Sequence, residues 1–269
     1  MSSKVLYAHF PLMYLYVTRL EKPFKVIQWI GGDFIFVFLL VISFNNTSTY
    51  NPLSLFLLDS NTAIWLVAKA ILYFYIFITF FTLYELGYVV NDCISTRKES
   101  NPTIRFQSCE YWKTIAMSKI VSFILLTAAL YWLFKLDVNT FLLYSTLTVS
   151  FFLFLHNNVF TEDRSISYFW LQYLRLMIVP FTVIANAYVL FLLSFAILPE
   201  VLRRTLRYLR IKLQHKERKF NVFDLKVFVI SSFFVMLGFF RLSVNYVYAL
   251  FVPYALIVGG ILISLILQE

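Results

Sequence analysis

The chain has 269 residues, of which 61% are apolar and 14% charged, with 31 Phe, 18 Tyr and a formal net charge of +9. An ordinary soluble domain carries roughly a quarter charged residues, and 23 basic plus 14 acidic side chains cannot cover a soluble fold of this length. The same composition excludes an intrinsically disordered chain, and 6 Gly and 2 Cys exclude a collagenous chain or a disulfide scaffold.

A polytopic membrane protein remains, and it must be all-α, because a spanning segment has to satisfy its own backbone hydrogen bonds. The first 23 residues mix His9, Pro11, Arg19, Glu21 and Lys22 with aromatics. They lack the layout of a cleaved signal peptide and read as an interfacial segment packed on the first span. Eight apolar runs then follow, each near the length of about 20 residues that crosses a bilayer. They are Phe24–Phe44, Thr62–Val90, Lys113–Phe134, Phe141–Phe160, Ile166–Ile184, Ala187–Leu202, Val222–Phe240 and Tyr246–Leu267. Pro180 and Asn186 alone suggest the turn between the fifth and sixth. No stretch has the composition of a separate soluble domain, so the expectation is one transmembrane domain over 1–269. Its two long connections are 91–112 and 203–221.

Eight spans put both termini on one side, and 18 of the 23 Lys/Arg fall on that side. By the positive-inside rule the termini and both long loops are cytoplasmic, as in a bacterial inner (plasma) membrane. The +9 charge is then a topology signal rather than a nucleic-acid footprint. Cys93 and Cys109 fall on the same side, where reduced thiols are expected.

The first long loop opens Asn91-Asp92-Cys93-Ile94-Ser95-Thr96-Arg97-Lys98-Glu99-Ser100-Asn101-Pro102-Thr103-Ile104-Arg105. If the second helix runs on to Ser100, Asn91, Asp92, Ser95 and Glu99 share one face. Asp92 and Glu99 then stand about 10 Å apart along the axis. That is too far to share one ion, but it suits oxygen-rich ends holding Mg²⁺ about a diphosphate, since Mg²⁺ takes one or two carboxylates and borrows substrate oxygens. Glu85 lies one further period of seven up the same face, inside the bilayer, where an ionisable group is a functional candidate.

This stretch resembles the first aspartate-rich motif of the UbiA superfamily of intramembrane prenyltransferases, Asn-Asp-x-x-Asp-x-x-x-Asp followed by Pro and Arg, at that family's position after the second span. Asn91 and Asp92 match; Ser95 replaces the middle Asp and Glu99 the last; Pro102 and Arg105 resemble the tail. The resemblance implies a helical bundle of eight to nine spans and Mg²⁺ as cofactor. It implies Asn91, Asp92, Ser95 and Glu99 as metal site, with Asn91, Asp92 and Glu99 catalytic. The family's second acidic motif belongs after the sixth span, and there this chain is basic. Only Glu200, Glu217 and Asp224 are acidic, whereas Arg203, Arg207 and Arg210 form one helical face with Arg204 beside it. Guanidinium forks bind phosphate, so Arg203, Arg204 and Arg207 join Lys98, Arg105, Lys119 and Arg175 as candidate phosphate contacts.

Arg175 lies within the fifth span with Gln172 and Tyr168 on its face, and its anionic partner is either Glu85 or a substrate phosphate. A diphosphate held by Mg²⁺ is a good leaving group, because the metal neutralises the departing charge. The basic second loop favours phosphoribosyl pyrophosphate as donor and a polyprenyl phosphate as acceptor, as in the decaprenyl-phosphate phosphoribosyltransferase-like branch. The alternative is prenyl transfer from a polyprenyl diphosphate. A non-enzymatic transporter or assembly factor is the third reading, with Glu85, Lys119 and Arg175 along a transport path. The bland readings are a headgroup-contacting basic run at Arg203–Lys219, a solvated helix extension at Asn91–Glu99, and a helix cap at His156.

Overall fold

The structure is a computed structural model. It describes residues 3–20, 26, 29–46, 60–95, 106, 108–136, 138–159, 165–214, 222–240, 242 and 244–266. Every described element is helical. In chain order they are α1 (Ser3–Ala8), α2 (Met13–Leu15) running into a π turn (Tyr16–Leu20), and α3 (Phe36–Asn46) preceded by a π segment (Ile30–Ile35). Next come α4 (Ser60–Val90) with a π turn at its end (Asn91–Ser95), and α5 (Trp112–Phe134) behind a short 3₁₀ turn (Cys109–Tyr111). Then follow α6 (Val138–Phe151) with a π segment (Phe152–Val159), α7 (Ser165–Val183), α8 (Ala187–Gln214), α9 (Val222–Phe240) and α10 (Val244–Ile266).

Among the described residues three helices are long and apolar enough to cross a membrane: Ile64–Ser95, Cys109–Phe134 and Ile166–Val183. Shorter apolar helices lie at Ile30–Phe44, Val138–Phe154, Leu225–Phe240 and Pro253–Ile263. Eight positions of apolar sequence were expected to span. The sixth becomes the first part of α8, which continues as helix from the apolar stretch into the basic one, to Gln214. Helices of this kind have to hide their few hydroxyls. Thr79 and Thr82 donate to the carbonyls of Tyr75 and Ile78, four residues back, and Thr148, Thr182 and Thr205 do the same. Such back-bonding removes the cost of a bare hydroxyl in an apolar medium. Ile124, Leu125, Trp132 and Leu133 on α5 and Phe233 and Phe234 on α9 stand exposed. Faces so apolar suit lipid rather than water.

The chain divides into two compact units. One comprises Met1–Ile27 and Ile71–Ser167; the other comprises Gln28–Ala70 and Tyr168–Glu269. In the first, the buried side chains of Val5, Ala8, Tyr14, Val89, Cys93, Phe106, Cys109 and Ile115 form one core. It docks the N-terminal segment onto the end of α4 and the start of α5. An aromatic column of Phe77, Phe80, Phe81 and Tyr84 continues into Phe152, whose ring centroid lies 4.9 Å from that of Tyr84. Gly87 makes this approach possible: a Cβ there would stand 2.0 Å from the Phe152 ring.

In the second unit α8, α9, α10 and α3 pack on one another. Tyr254 of α10 ties them, with its ring against Phe36 and Phe228 and its hydroxyl donating to the Ala196 carbonyl at 2.8 Å. The turn foreseen between the fifth and sixth runs is present at 184–186. Asn186 caps α8 there, its side-chain oxygen accepting from the amides of Tyr188 and Val189 at 2.9 and 3.2 Å.

Candidate functional site

Two buried polar clusters stand out, one in each unit. The first unit's cluster starts from Glu85, fully buried on α4. Leu12 adopts a left-handed backbone, φ 63°, a conformation costly for a side chain other than glycine. The Glu85 carboxylate holds it: one oxygen accepts from the Leu12 amide at 3.0 Å and the other from the Leu15 amide at 2.7 Å. Lys119 of α5 lies 2.6 Å from the same carboxylate and also donates to the Phe10 carbonyl. These contacts bear on two expectations. Lys119 is not a phosphate contact poised in a cavity, because its ammonium is sealed against Glu85 with no exposed surface. Glu85, one of the two partners expected for Arg175, is occupied by Lys119 and two backbone amides.

One and a half turns further on, α4 leaves α geometry at Asn91. Local π geometry in a helix is frequent at functional sites. Asn91, Asp92 and Ser95 are all buried. Asp92 accepts from Arg19 at 3.0 Å and from the Asn91 amide at 3.2 Å on one oxygen, and from the Tyr14 hydroxyl at 3.2 Å on the other. The Arg19 guanidinium lies 4.1 Å from the centre of the Tyr88 ring. Burial opposes its charge and the Asp92 carboxylate outweighs that, so its pKa sits above the ordinary guanidinium value. Burial, reinforced by Asp92, raises the Tyr14 phenol, which therefore stays protonated and donating at physiological pH.

The π segment Phe152–Val159 packs on this turn. From it Asn157 donates to the Gly87 carbonyl at 3.2 Å, and His156 Nδ1 lies 2.9 Å from the Ser167 hydroxyl. Three buried polar atoms here have no hydrogen-bond partner: Arg19 Nη1, Ser95 Oγ and Asn157 Oδ1.

The donor set bears on the expected Mg²⁺. Asn91, Asp92 and Ser95 are hard oxygen ligands on one turn, and Ser95 Oγ is uncommitted, which fits a magnesium ion that fills its remaining positions with water or phosphate oxygens. Among the described residues no group of three His, Cys, Asp or Glu could hold a metal. Both Asp92 oxygens already accept protein donors, Tyr14 on one and Arg19 and Asn91 on the other. Lys98, Glu99 and Arg105 lie outside the described residues. The helix expected to continue to Ser100 gives way at Asn91 to the π turn, so the α-helical register drawn through Asn91 and Ser95 does not hold. Cys93 and Cys109, expected as reduced thiols, form a buried disulfide across the Asp92 turn and the start of α5.

The second unit's cluster joins Asp33 of the π segment Ile30–Ile35, Gln172 and Arg175 of α7, and Glu200, Arg203 and Arg204 of α8. One Asp33 oxygen accepts from Arg175 at 3.2 Å and from Arg204. Glu200 accepts from Arg203 at 2.7 and 2.5 Å and from Arg204 at 2.6 Å. Gln172 Oε1 accepts from Arg175 at 2.7 Å and from Arg204 at 3.2 Å. Gly32 leaves room for this, since a Cβ there would meet Arg204 at 2.9 Å. Arg175 thus has an anionic partner in Asp33, a residue outside the two partners expected for it. Arg203 and Arg204 are drawn inward by carboxylates rather than turned toward headgroups, and Arg207 is partly buried one turn on.

Sequence reasoning passed over Asp33, although a carboxylate inside an apolar run is itself a signal. It also passed over Tyr14 and treated Arg19 only as part of the positive-inside bias, because nothing local announces that an N-terminal segment folds back 73 residues to Asp92. No family model matches the chain, and no curated protein and no solved structure matches it either.

Proposed function

We propose that this protein is an intramembrane transferase acting on a diphosphate-bearing donor at the Asn91–Asp92 end of α4, of the UbiA type that its motif resembles. The preferred reaction is phosphoribosyl transfer from phosphoribosyl pyrophosphate to a polyprenyl phosphate. Prenyl transfer from a polyprenyl diphosphate to a small or aromatic acceptor is the alternative.

The observation that carries the reading is the buried Asn91–Asp92–Ser95 turn, with uncommitted polar atoms on Arg19, Ser95 and Asn157. Buried polar groups are ordinarily paired, and a cluster of unpaired ones at a π turn marks a place made for a polar ligand. Mg²⁺ is proposed as the cofactor, and when bound it would neutralise the charge on a departing diphosphate. Asp92, with Asn91 and Ser95, would hold the ion; Arg19 pairs with Asp92, and the Tyr14 hydroxyl orients its carboxylate.

The non-enzymatic reading draws support from the second cluster, where three guanidiniums and two carboxylates pair with one another. A transporter or assembly factor would use such an ion-paired brace for packing alone.

The deciding experiment incubates purified protein with labelled phosphoribosyl pyrophosphate plus polyprenyl phosphate, and separately with polyprenyl diphosphate. It follows Mg²⁺-dependent pyrophosphate release and labelled lipid. Asp92→Asn is expected to lower turnover by a factor on the order of a hundred or more while the protein still extracts and folds. Near-normal turnover in Asp92→Asn would sink the metal–diphosphate reading, and absence of pyrophosphate release from either donor would leave the brace reading in possession.

A further inference from the structure

We infer that Asn157 selects the donor, by accepting a hydrogen bond from a hydroxyl group carried on a phosphate ester. This rests on the proposed diphosphate site at Asp92 and names the kind of molecule it takes.

The amide orientation follows from chemistry. The Gly87 carbonyl can only accept, so the Asn157 nitrogen must face it, and it does so at 3.2 Å. The oxygen consequently points elsewhere, and it is buried without a donor. A buried carbonyl oxygen without a donor is costly, and a ligand hydroxyl removes that cost. The position is tied to the Asp92 turn by Gly87, one helical turn before Asn91, and by the packing of Phe152–Val159 on Asn91–Ser95.

Two other unpaired groups of the same unit have complementary character. Arg19 Nη1 can only donate, which suits an anionic phosphate oxygen, and Ser95 Oγ can do either. A ligand that satisfies all three must present both an anionic oxygen and a hydroxyl donor. A phosphorylated sugar does so. A prenyl diphosphate has no hydroxyl and would leave Asn157 Oδ1 bare. Sites built to pair with a hydroxyl discriminate against analogues lacking it, because the site's own polar group is then stranded.

The test is calorimetric titration of the purified full-length chain in mild detergent with two probes, ribose 5-phosphate and pentyl phosphate, which share the phosphate and differ in the hydroxyls. The wild type is expected to bind ribose 5-phosphate tighter by on the order of tenfold, one good hydrogen bond's worth. Asn157→Ala is expected to bring the two probes within about twofold of each other while leaving pentyl phosphate binding in place; should that variant not fold, Asn157→Ser makes the same comparison. Equal binding of both probes by the wild type would mean that Asn157 holds water only, and the inference falls while the phosphate site stands. A preference that survives in Asn157→Ala or Asn157→Ser overturns it as well. Binding of neither probe would remove the phosphate site itself, and the inference with it.

Discussion

Replacing Lys119 by Met tests whether the Glu85–Lys119 pair holds the first unit together or serves a substrate. Both side chains have no exposed surface, and the ammonium lies 2.6 Å from the carboxylate. Removing one member of a buried pair leaves the other uncompensated, which costs about 3–5 kcal/mol. Met preserves the volume of the Lys stem, so the loss is electrostatic rather than a cavity. Adding Glu85→Gln to Lys119→Met removes the stranded charge. Glutamine keeps one oxygen for either the Leu12 or the Leu15 amide and abandons the other, a residual loss of about 1–3 kcal/mol. The double variant should therefore be more stable than Lys119→Met alone, although a second native group has been removed. The assay is equilibrium unfolding in mixed micelles, followed by Trp fluorescence. If the two single losses add to within about 0.5 kcal/mol, the pair is not coupled and the reasoning fails. Turnover adds a second reading. A stable double variant that retains activity shows that Lys119 does not contact phosphate.

Other consequences can be checked separately. Gly87→Ala places a Cβ 2.0 Å from the Phe152 ring, which forces the segment carrying Asn157 away; a loss of about 1–3 kcal/mol is expected in the same unfolding assay, and an unchanged midpoint would refute the close packing. Asp33→Asn strands the shared charge of Arg175 and Arg204 and should cost about 3–5 kcal/mol; Arg175→Gln in the same chain should recover part of it, and additive losses would mean that the cluster is not a network. Alkylation of the denatured protein should label neither cysteine before reduction and both after it, whereas two free thiols in protein quenched directly from cells would return Cys93 and Cys109 to the reduced state expected of a cytoplasmic loop.

Composition and periodicity by themselves determined that this is an all-helical membrane protein, because a chain with so few charges leaves helices in lipid as the only way to satisfy its backbone. Much of the helix layout was equally legible. The turn at Asn186 was marked by a residue that caps helices, and the helical spacing of Arg203, Arg207 and Arg210 held through Gln214. Asn91 and Asp92 were legible as polar residues at the end of a long apolar helix.

Partnership was another matter. Arg175 has an acidic partner by physical necessity, and sequence could not say which. The choice of Asp33, 142 residues away, belongs to the packing of the π segment Ile30–Ile35 with α7 and α8. The same holds for Glu85 with Lys119, for Asp92 with Tyr14 and Arg19, and for Cys93 with Cys109. Helical propensity and hydrophobic period are properties of a few neighbouring residues. An ion pair is a property of two helices brought within about 3 Å, and only the closed tertiary structure, with Gly32 and Gly87 removing a Cβ where helices must touch, decides which charges meet.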